Sequence, residues 1–524
     1  MPRVESDVCI IGGGISAALL AQKLSELKPG LDIVIVEAGK RLFDVQNRMN
    51  YRRRAILYGE NPWPGDWIPD QSAEGIVTRT MAVGGSAMHW QGHVNRFSEE
   101  DLRLRSLYGL AVDWPLSWGE LEPYLCEADR RIGVSGEVSP HPEDKPSRPY
   151  PMSAMPLSYN LLEIQKWAER TGLPFYGVPR AVNTRAYGGR PDCQRCGTCT
   201  MCPIGARYSP DFTFKQLLAS KKIRLHDQTL TRRLILHDTG NTIARAEAVH
   251  SDTPDQKIEY HSRTFVVASG YAWTPHLLLL SANTRFPDGL ANSSGTVGRY
   301  MTGHKFMTGI IGADKKLYPG MNEPHPIISR QFFRCATDKP FVRHDIQIFE
   351  AGLRPKLRSE TGEVLFGNDL MNNWRSRTQH GIARVRMYYD AHPSADSRLT
   401  LNPEMRNRYG DPMPKIAHRL DEAAEGRENA THSHIQAIYD QLAKANDCKI
   451  LSTNVANYQD HPSGGARMGV DPKTSVCNSY GLTHDHPNLY VVGAPTLPTG
   501  GCTNATVTFA ALTLRSADRM AQTL

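Results

Sequence analysis

Four cysteines stand at three-residue intervals within ten residues: Cys193, Cys196, Cys199 and Cys202, the last followed by Pro203. Thiolates spaced this tightly and regularly can wrap a compact cube of iron and sulfide, and a trailing Cys–Pro belongs to that pattern. A single zinc ion usually draws two well-separated pairs with a hairpin or helix between them. The spacing leaves [3Fe–4S] and [4Fe–4S] clusters both open, and not every cysteine need be a ligand. The other six (Cys9, Cys126, Cys335, Cys448, Cys477 and Cys502) are scattered, as reduced core or surface thiols are.

A second chemical feature lies near the N-terminus. Gly12, Gly14 and Ala17 occupy the three small-residue positions of a dinucleotide fingerprint. The first glycine permits the turn, the second lets a pyrophosphate approach the backbone, and the third lets helix pack on strand. A helix opening there offers free amides to phosphate. Val8–Ile11 reads as the strand before the turn and Ile33–Val36 as the strand after the helix. Glu37 ends that second strand, where a carboxylate accepts hydrogen bonds from ribose hydroxyls and repels a ribose phosphate. NADP is therefore disfavoured, while FAD and NAD remain open on this motif alone.

Three further segments resemble the glucose–methanol–choline oxidoreductases. TRTMAVGGSAMHW (Thr78–Trp90) resembles the family's glycine-rich flavin loop, with Gly84 and Gly85 at its turn. ASGYAWTPHLLLLSAN (Ala268–Asn283) looks like its second signature, a strand end turning into a helix. DHPSGGARMG, followed by HPNLYVVGAPTLPTGGCTNATVTFAALTLR, resembles its catalytic-histidine segment and closing flavin-contact helix, expected over Ala505–Leu514. Within the family, GLAVDWPLSWGELEPYLCEAD, RPYPMSAMPLSYN and PIGARY look like catalytic subunits of bacterial glucose dehydrogenases that carry FAD and an iron–sulfur cluster. The cysteine spacing of that subgroup differs, with more residues between the middle and last ligands. Two further departures are Ala282, where a glycine is usual, and Gly493, where an aspartate near the flavin is common. The resemblance implies flavin contacts from Gly493, Ala494, Asn504 and Thr506.

Oxidising an alcohol by hydride transfer requires a base for the hydroxyl proton, and histidine suits that work. The chain has 19 histidines. His461 is singled out by the resemblance as the base, and Asn504 as the group that orients the substrate oxygen. A helix cap is the competing role for Asn504. His89 falls where related pyranose oxidases carry a histidine bonded covalently to flavin, and a non-covalent histidine packed near the ring is the alternative. Trp90 and His304 read as packing residues.

The elements that must position these groups follow. With 524 residues, the chain exceeds the roughly 250–300 at which one core stops growing. The expected fold is α/β: a Rossmann-like FAD-binding domain (1–130, 220–310 and 455–524) interwoven with a substrate domain on a mostly antiparallel sheet (131–219 and 311–454). The second domain carries the cysteine loop. Its segment Met371–Gly381 has polar and aromatic groups for sugar hydroxyls, or is a solvated loop. Hydrophobic residues are 40% and charged residues 22%, an ordinary globular balance. The net charge of +7 is dilute, and its densest run, Arg52–Arg54, reads as a solvated face, so no nucleic-acid partner is expected. No stretch approaches the roughly 18 apolar residues of a membrane span, and no signal-peptide layout opens the chain.

A cluster that takes one electron at a time favours a dehydrogenase over an oxidase, which needs no such relay. The resemblance implies a sugar or glycoside substrate, a small exported companion subunit and a haem-containing or similar electron acceptor. Location is then periplasmic through the companion, or cytoplasmic. The rivals are a pyranose-type oxidase and an electron-transfer protein without substrate chemistry.

Overall fold

The computed structural model describes every residue except 1, 43–44, 59, 61–62, 67–78, 142–143, 314–316, 318–324, 336–341, 352–356, 360, 378–380 and 421. The apolar runs Val8–Ile11 and Ile33–Val36 are buried throughout, as strands covered on both faces must be. They form the centre of a seven-stranded sheet. Strand Arg3–Ile11 pairs in parallel with Ile33–Val36, Val8 opposite Ile33 and Ile11 opposite Val36. Its other edge pairs in parallel with Thr253–Val267. Arg224–His226 lies beyond Ile33–Val36, and Leu489–Val491 joins the end of Thr253–Val267, both in parallel. Ile243–His250 and Thr229–Leu236 complete the sheet as an antiparallel edge.

Helices Ile15–Leu27 and Thr506–Thr523 share one core with this sheet: Ala17, Ala18 and Leu20 pack with Ala517, Met520, Val8 and Ile10. The C-terminal helix runs past the expected end at Leu514 because Ala517, Met520 and Ala521 continue its buried stripe.

The second sheet has six strands, in the order Lys449–Ser463, Thr302–Ala313, Gly381–Tyr389, Ile346–Ala351, Pro326–Ser329 and Tyr176–Gly177. Every neighbouring pair in it is antiparallel. The mixed α/β class expected from the sequence is therefore what the chain adopts. Thr302–Ala313 and Lys449–Ser463 run across the expected boundaries near 310 and 455. Helices Tyr159–Glu169 and Glu422–Lys444 bury one face of this sheet, where Val385, Met387 and Tyr389 meet Ile164, Ile435 and Tyr439. Side chains alternate along a strand, so Arg384, Arg386 and Tyr388 turn to the opposite face, and all three line a large cavity.

Met371–Arg377 forms the end of helix Gly367–Arg377 rather than a loop, with Met371 and Trp374 exposed. It takes no part in lining the cavity. Residues 378–380 of the same segment lie outside the described residues, as does Thr78. Arg52 is half-buried and donates to Thr198 Oγ1 at 2.8 Å, so the basic run is not wholly a solvated face. Among the described residues no helix is long and apolar enough to cross a membrane.

Candidate active site

A cavity of about 640 Å³ lies between the two sheets, within the size range of cofactor and ligand sites. At one end is the glycine turn. Gly12 sits at φ +106°, and a Cβ there would lie 2.6 Å from the Ala268 carbonyl oxygen. A Cβ on Gly14 would meet nothing within 4 Å, so the backbone faces open space. Helix Ile15–Leu27 starts at Gly14 with no side-chain cap and no acidic residue in its first turn. Its first amides are free for a phosphate.

Glu37 is buried beside this turn and accepts from the Gly13 amide at 2.6 Å and the Gly39 amide at 2.7 Å. Burial pushes its carboxyl up to about 7, against those two donors. Gly84 (φ +108°) donates to the Gly13 carbonyl at 2.7 Å, bringing the second glycine loop against the first. His89 follows the short helical turn Gly85–Met88 and lines the cavity, its ring centroid 6.3 Å from that of Trp63. Trp90 also lines the cavity and donates to the Tyr208 carbonyl at 2.8 Å.

Gly493 and Ala494 line the same cavity beside the start of the first helix. A Cβ on Gly493, at φ +94°, would lie 2.8 Å from Ser16 Oγ, so the serine occupies the space a side chain would need. Asn504 and Thr506 bring the N-terminus of the last helix to the cavity, with its cap position, Ala505, making no side-chain bond. Open space beside Gly14, two uncapped helix ends and a carboxylate at the strand end suit a dinucleotide.

His461 and Asn504, 43 residues apart, meet here: His461 Nε2 is 2.9 Å from Asn504 Nδ2. The local backbone explains His461's aim. Thr302 pairs with Ser463, His304 with Asp460, and Phe306 with Ala456, so the register slips on both sides of His304. The extra residues sit on the His461 strand, and His461 itself adopts φ +51°. A bulge with one residue in the left-handed region re-aims its side chain, at a cost of about 1–3 kcal/mol.

The hydrogen-bond network assigns every proton along this line, and it can be read from either end. The Gly500 carbonyl can only accept, so His304 Nε2, at 3.0 Å, donates to it. A neutral His304 then presents a bare Nδ1 to His461 Nδ1 at 3.0 Å, and His461 Nδ1 must carry the proton. From the other end, Arg386 Nη2 donates to Gln347 Oε1 at 3.0 Å. Gln347 Nε2 therefore donates to Asp345 at 2.5 Å and to Asn504 Oδ1 at 3.4 Å. Asn95 Nδ2 donates to the same oxygen at 3.0 Å. Asn504 is left to donate through Nδ2 to a bare His461 Nε2. The two ends agree.

Burial, then the neighbouring His304, lowers His461 to about 3, and burial lowers His304 as well. Both rings are neutral at physiological pH. Burial raises the Asp460 carboxyl, but Arg386, His461 and the Tyr388 hydroxyl outweigh it and hold the group below its ordinary value. The Tyr388 hydroxyl donates to Asp460 at 2.5 Å. Asn504 makes no cap bond, so the competing cap role is not the one its side chain takes. His304, expected to be a packing residue, instead contacts His461, and Gln347, Asn95, Arg384, Arg386, Tyr388 and Asp460 join the site with no motif to mark them. Two arginines alternating on an otherwise apolar strand were a signal that could have been used.

Cys193, Cys196, Cys199 and Cys202 line one small cavity of about 20 Å³. None is in a disulfide. Three sulfurs receive N–H donors: Cys193 from the Arg195 amide at 3.4 Å, Cys199 from Arg180 Nη2 at 3.4 Å, and Cys202 from the Arg207 amide at 3.5 Å. This donor set suits a thiolate-bound cluster. No three His, Cys, Asp or Glu side chains among the described residues converge on a single-ion position. Arg207 is buried between the two sites, donating to the Cys199 carbonyl at 2.8 Å and to the Ala87 and Met88 carbonyls at 2.7 Å each.

Family models described as GMC oxidoreductase match residues 160–305 and 393–513. The fructose dehydrogenase large subunit of Gluconobacter japonicus is 30% identical, over 98% of this chain and 97% of that protein. The 2-methyl-1,2-propanediol dehydrogenase of Mycolicibacterium austroafricanum is 28% identical, over 98% and 95%. The crystal structure of pyridoxine 4-oxidase from Mesorbium loti shares the fold, with a TM-score of 0.66 at 17% identity over 98% of this chain and 99% of that one. The chain belongs to the GMC oxidoreductase family.

Proposed function

We propose that this oxidoreductase is an FAD-dependent dehydrogenase of a sugar-like alcohol. The observation that carries the reading is the His461–Asn504 pair, 2.9 Å apart, lining the same cavity as the Gly12–Gly14 turn. Gly12, Gly14, Ala17, Glu37, Gly84, Gly85, Gly493, Ala494, Asn504 and Thr506 would hold FAD, which when bound supplies the acceptor for a hydride. A substrate hydroxyl that displaces the direct Asn504–His461 bond would accept from Asn504 Nδ2 and donate to His461 Nε2. The proton passes to Nε2 as the carbon–hydrogen bond breaks with both its electrons, and the alcohol becomes a carbonyl. His304 and Gly500 keep the proton on Nδ1 and so keep Nε2 bare. Asn504 fixes the oxygen's orientation.

Cys193, Cys196, Cys199 and Cys202 would hold an iron–sulfur cluster, of three or four irons, supplying one-electron transfer towards an external acceptor. The Arg207 bridge to the His89 loop supports a connection between the two sites. The relative named a large subunit supports partner subunits; a small companion and a haem-containing or similar acceptor would be those partners. Export with the companion would make the protein periplasmic; a cytoplasmic location is the alternative.

The test is anaerobic mixing of the holoenzyme with a panel of aldoses and glycosides, read at the flavin absorbance. Bleaching by a sugar supports the reading, and product analysis separates the anomeric carbon from ring carbon 3. Stoichiometric hydrogen peroxide in air would replace it with an oxidase. No bleaching by any alcohol would leave an electron-transfer protein. Acid precipitation decides the linkage: free FAD in the supernatant excludes a covalent bond at His89.

A further inference from the structure

We propose that the substrate carries an anionic group, a carboxylate or a phosphate ester, held by Arg384; this rests on the sugar-oxidising reading of the same cavity. Four arginines line that cavity among the described residues: Arg79, Arg232, Arg384 and Arg386. Arg79 is paired with Asp66 at 2.8 Å, Arg232 with Asp411 at 2.7 Å, and Arg386 with Asp460 at 3.3 Å. Arg384 has no such partner. Its guanidinium lies over the Phe349 ring at 4.5 Å, and among the described residues no hydrogen bond or ion pair joins it to another. Burial and the like charge of Arg386 act against its ionised form and outweigh the attraction of Asp460, which pairs with Arg386 instead. A guanidinium stays charged in proteins all the same, and a half-buried charge without a counter-ion is costly.

The position of Arg384 fits a substrate contact. Gln347 lies opposite Arg386 across the strand pair and donates to Asn504 Oδ1. The Arg386 row is therefore beside the His461–Asn504 pair. Arg384 is two residues further along the same face, roughly 7 Å by the rise of a strand. That is about the reach of a sugar ring with one substituent. Arg386 Nε is also buried with no acceptor among the described residues, so this floor offers donors and positive charge together. A neutral sugar brings hydroxyl acceptors but no charge. A carboxylate or phosphate brings acceptors and the missing charge, and matches the planar guanidinium fork.

The test uses the holoenzyme without oxygen, following flavin bleaching against the concentration of glucose, glucuronate and glucose 6-phosphate. At least one anionic probe is expected to half-saturate at a concentration about 10- to 100-fold below that of glucose, the range of a charge-assisted contact. Which anion does so separates carboxylate from phosphate. Arg384→Gln, with its flavin spectrum intact, should bring the anionic-to-neutral ratio to within about threefold. Glucose matching or beating both anions would overturn the proposal, as would a ratio that survives the substitution. An equal slowing of all three probes in Arg384→Gln would overturn it too, because it would assign Arg384 to the flavin. If no probe bleaches the flavin but a simple alcohol does, the sugar reading falls and this inference falls with it.

Discussion

His461 and His304 face each other through their Nδ1 atoms at 3.0 Å, a contact in which one ring must donate and the other accept. The Gly500 carbonyl, by accepting a hydrogen bond from His304 Nε2, decides which. On the proposed function, His304 acts on the reaction through His461 and is a positioning residue.

His304→Ala removes the acceptor that holds the His461 proton on Nδ1. Turnover should fall about 10- to 100-fold with KM within about threefold of wild type and flavin content kept. His304→Asn, which keeps a short acceptor, should recover part of the loss. For comparison, His461→Ala should cost at least about 100-fold, and Asn504→Ala less. Equal activity of His304→Ala and wild type at every pH would remove His304 from the mechanism.

Because His461 is lowered to about 3, it stays neutral where an ordinary histidine, near 6.5, takes up a proton. The kcat/KM profile should therefore show no histidine limb between pH 8 and 5. Folding stability carries the matching sign. Below pH 6.5 the unfolded chain protonates this ring while the folded chain does not, so stability from His461 is present above 6.5 and is lost as pH falls towards 3. Thermal melts of wild type and His461→Asn compared from pH 7.5 to 4.5 would show it: wild type should lose stability relative to the variant on acidification. A shift in the other direction would mean that His461 gains its proton in the fold.

Cys199→Ser offers iron a harder, poorer ligand. Flavin reduction by substrate should survive, whereas delivery to the natural acceptor should fail. Delivery at the wild-type rate in a variant shown by spectroscopy to lack a cluster would leave the cysteine loop a structural staple.

Gly493→Ala places a Cβ 2.8 Å from Ser16 Oγ on a backbone at φ +94°. The left-handed strain alone is worth about 1–3 kcal/mol, so the melting temperature and the FAD content should both fall. Adding Ser16→Ala should restore part of the loss, since it removes the clash and not the strain. No recovery would show that the serine is not what excludes a side chain there.

Features encoded within one segment were legible in the sequence. The Gly12–Gly14 turn, its helix and Glu37 follow from local spacing, because strand, turn and helix are each set by residues close in the chain. The cysteine run is legible for the same reason, whereas His461 and Asn504 stood out only through the resemblance of their segments to the GMC family. The sequence marked Gly493 as a departure without a cause; the cause, Ser16, lies more than 400 residues away and arrives only when the first helix docks on the last loop. His304, Gln347 and the unpartnered Arg384 were decided by tertiary structure. Their roles depend on which strands pair and in what register, and on a bulge that turns His461 towards His304. A one-residue change in that register would send each of these side chains to the other face of the sheet. The spacing of residues along the chain does not specify that register; the packing of the opposite face against Ile435 and Tyr439 does.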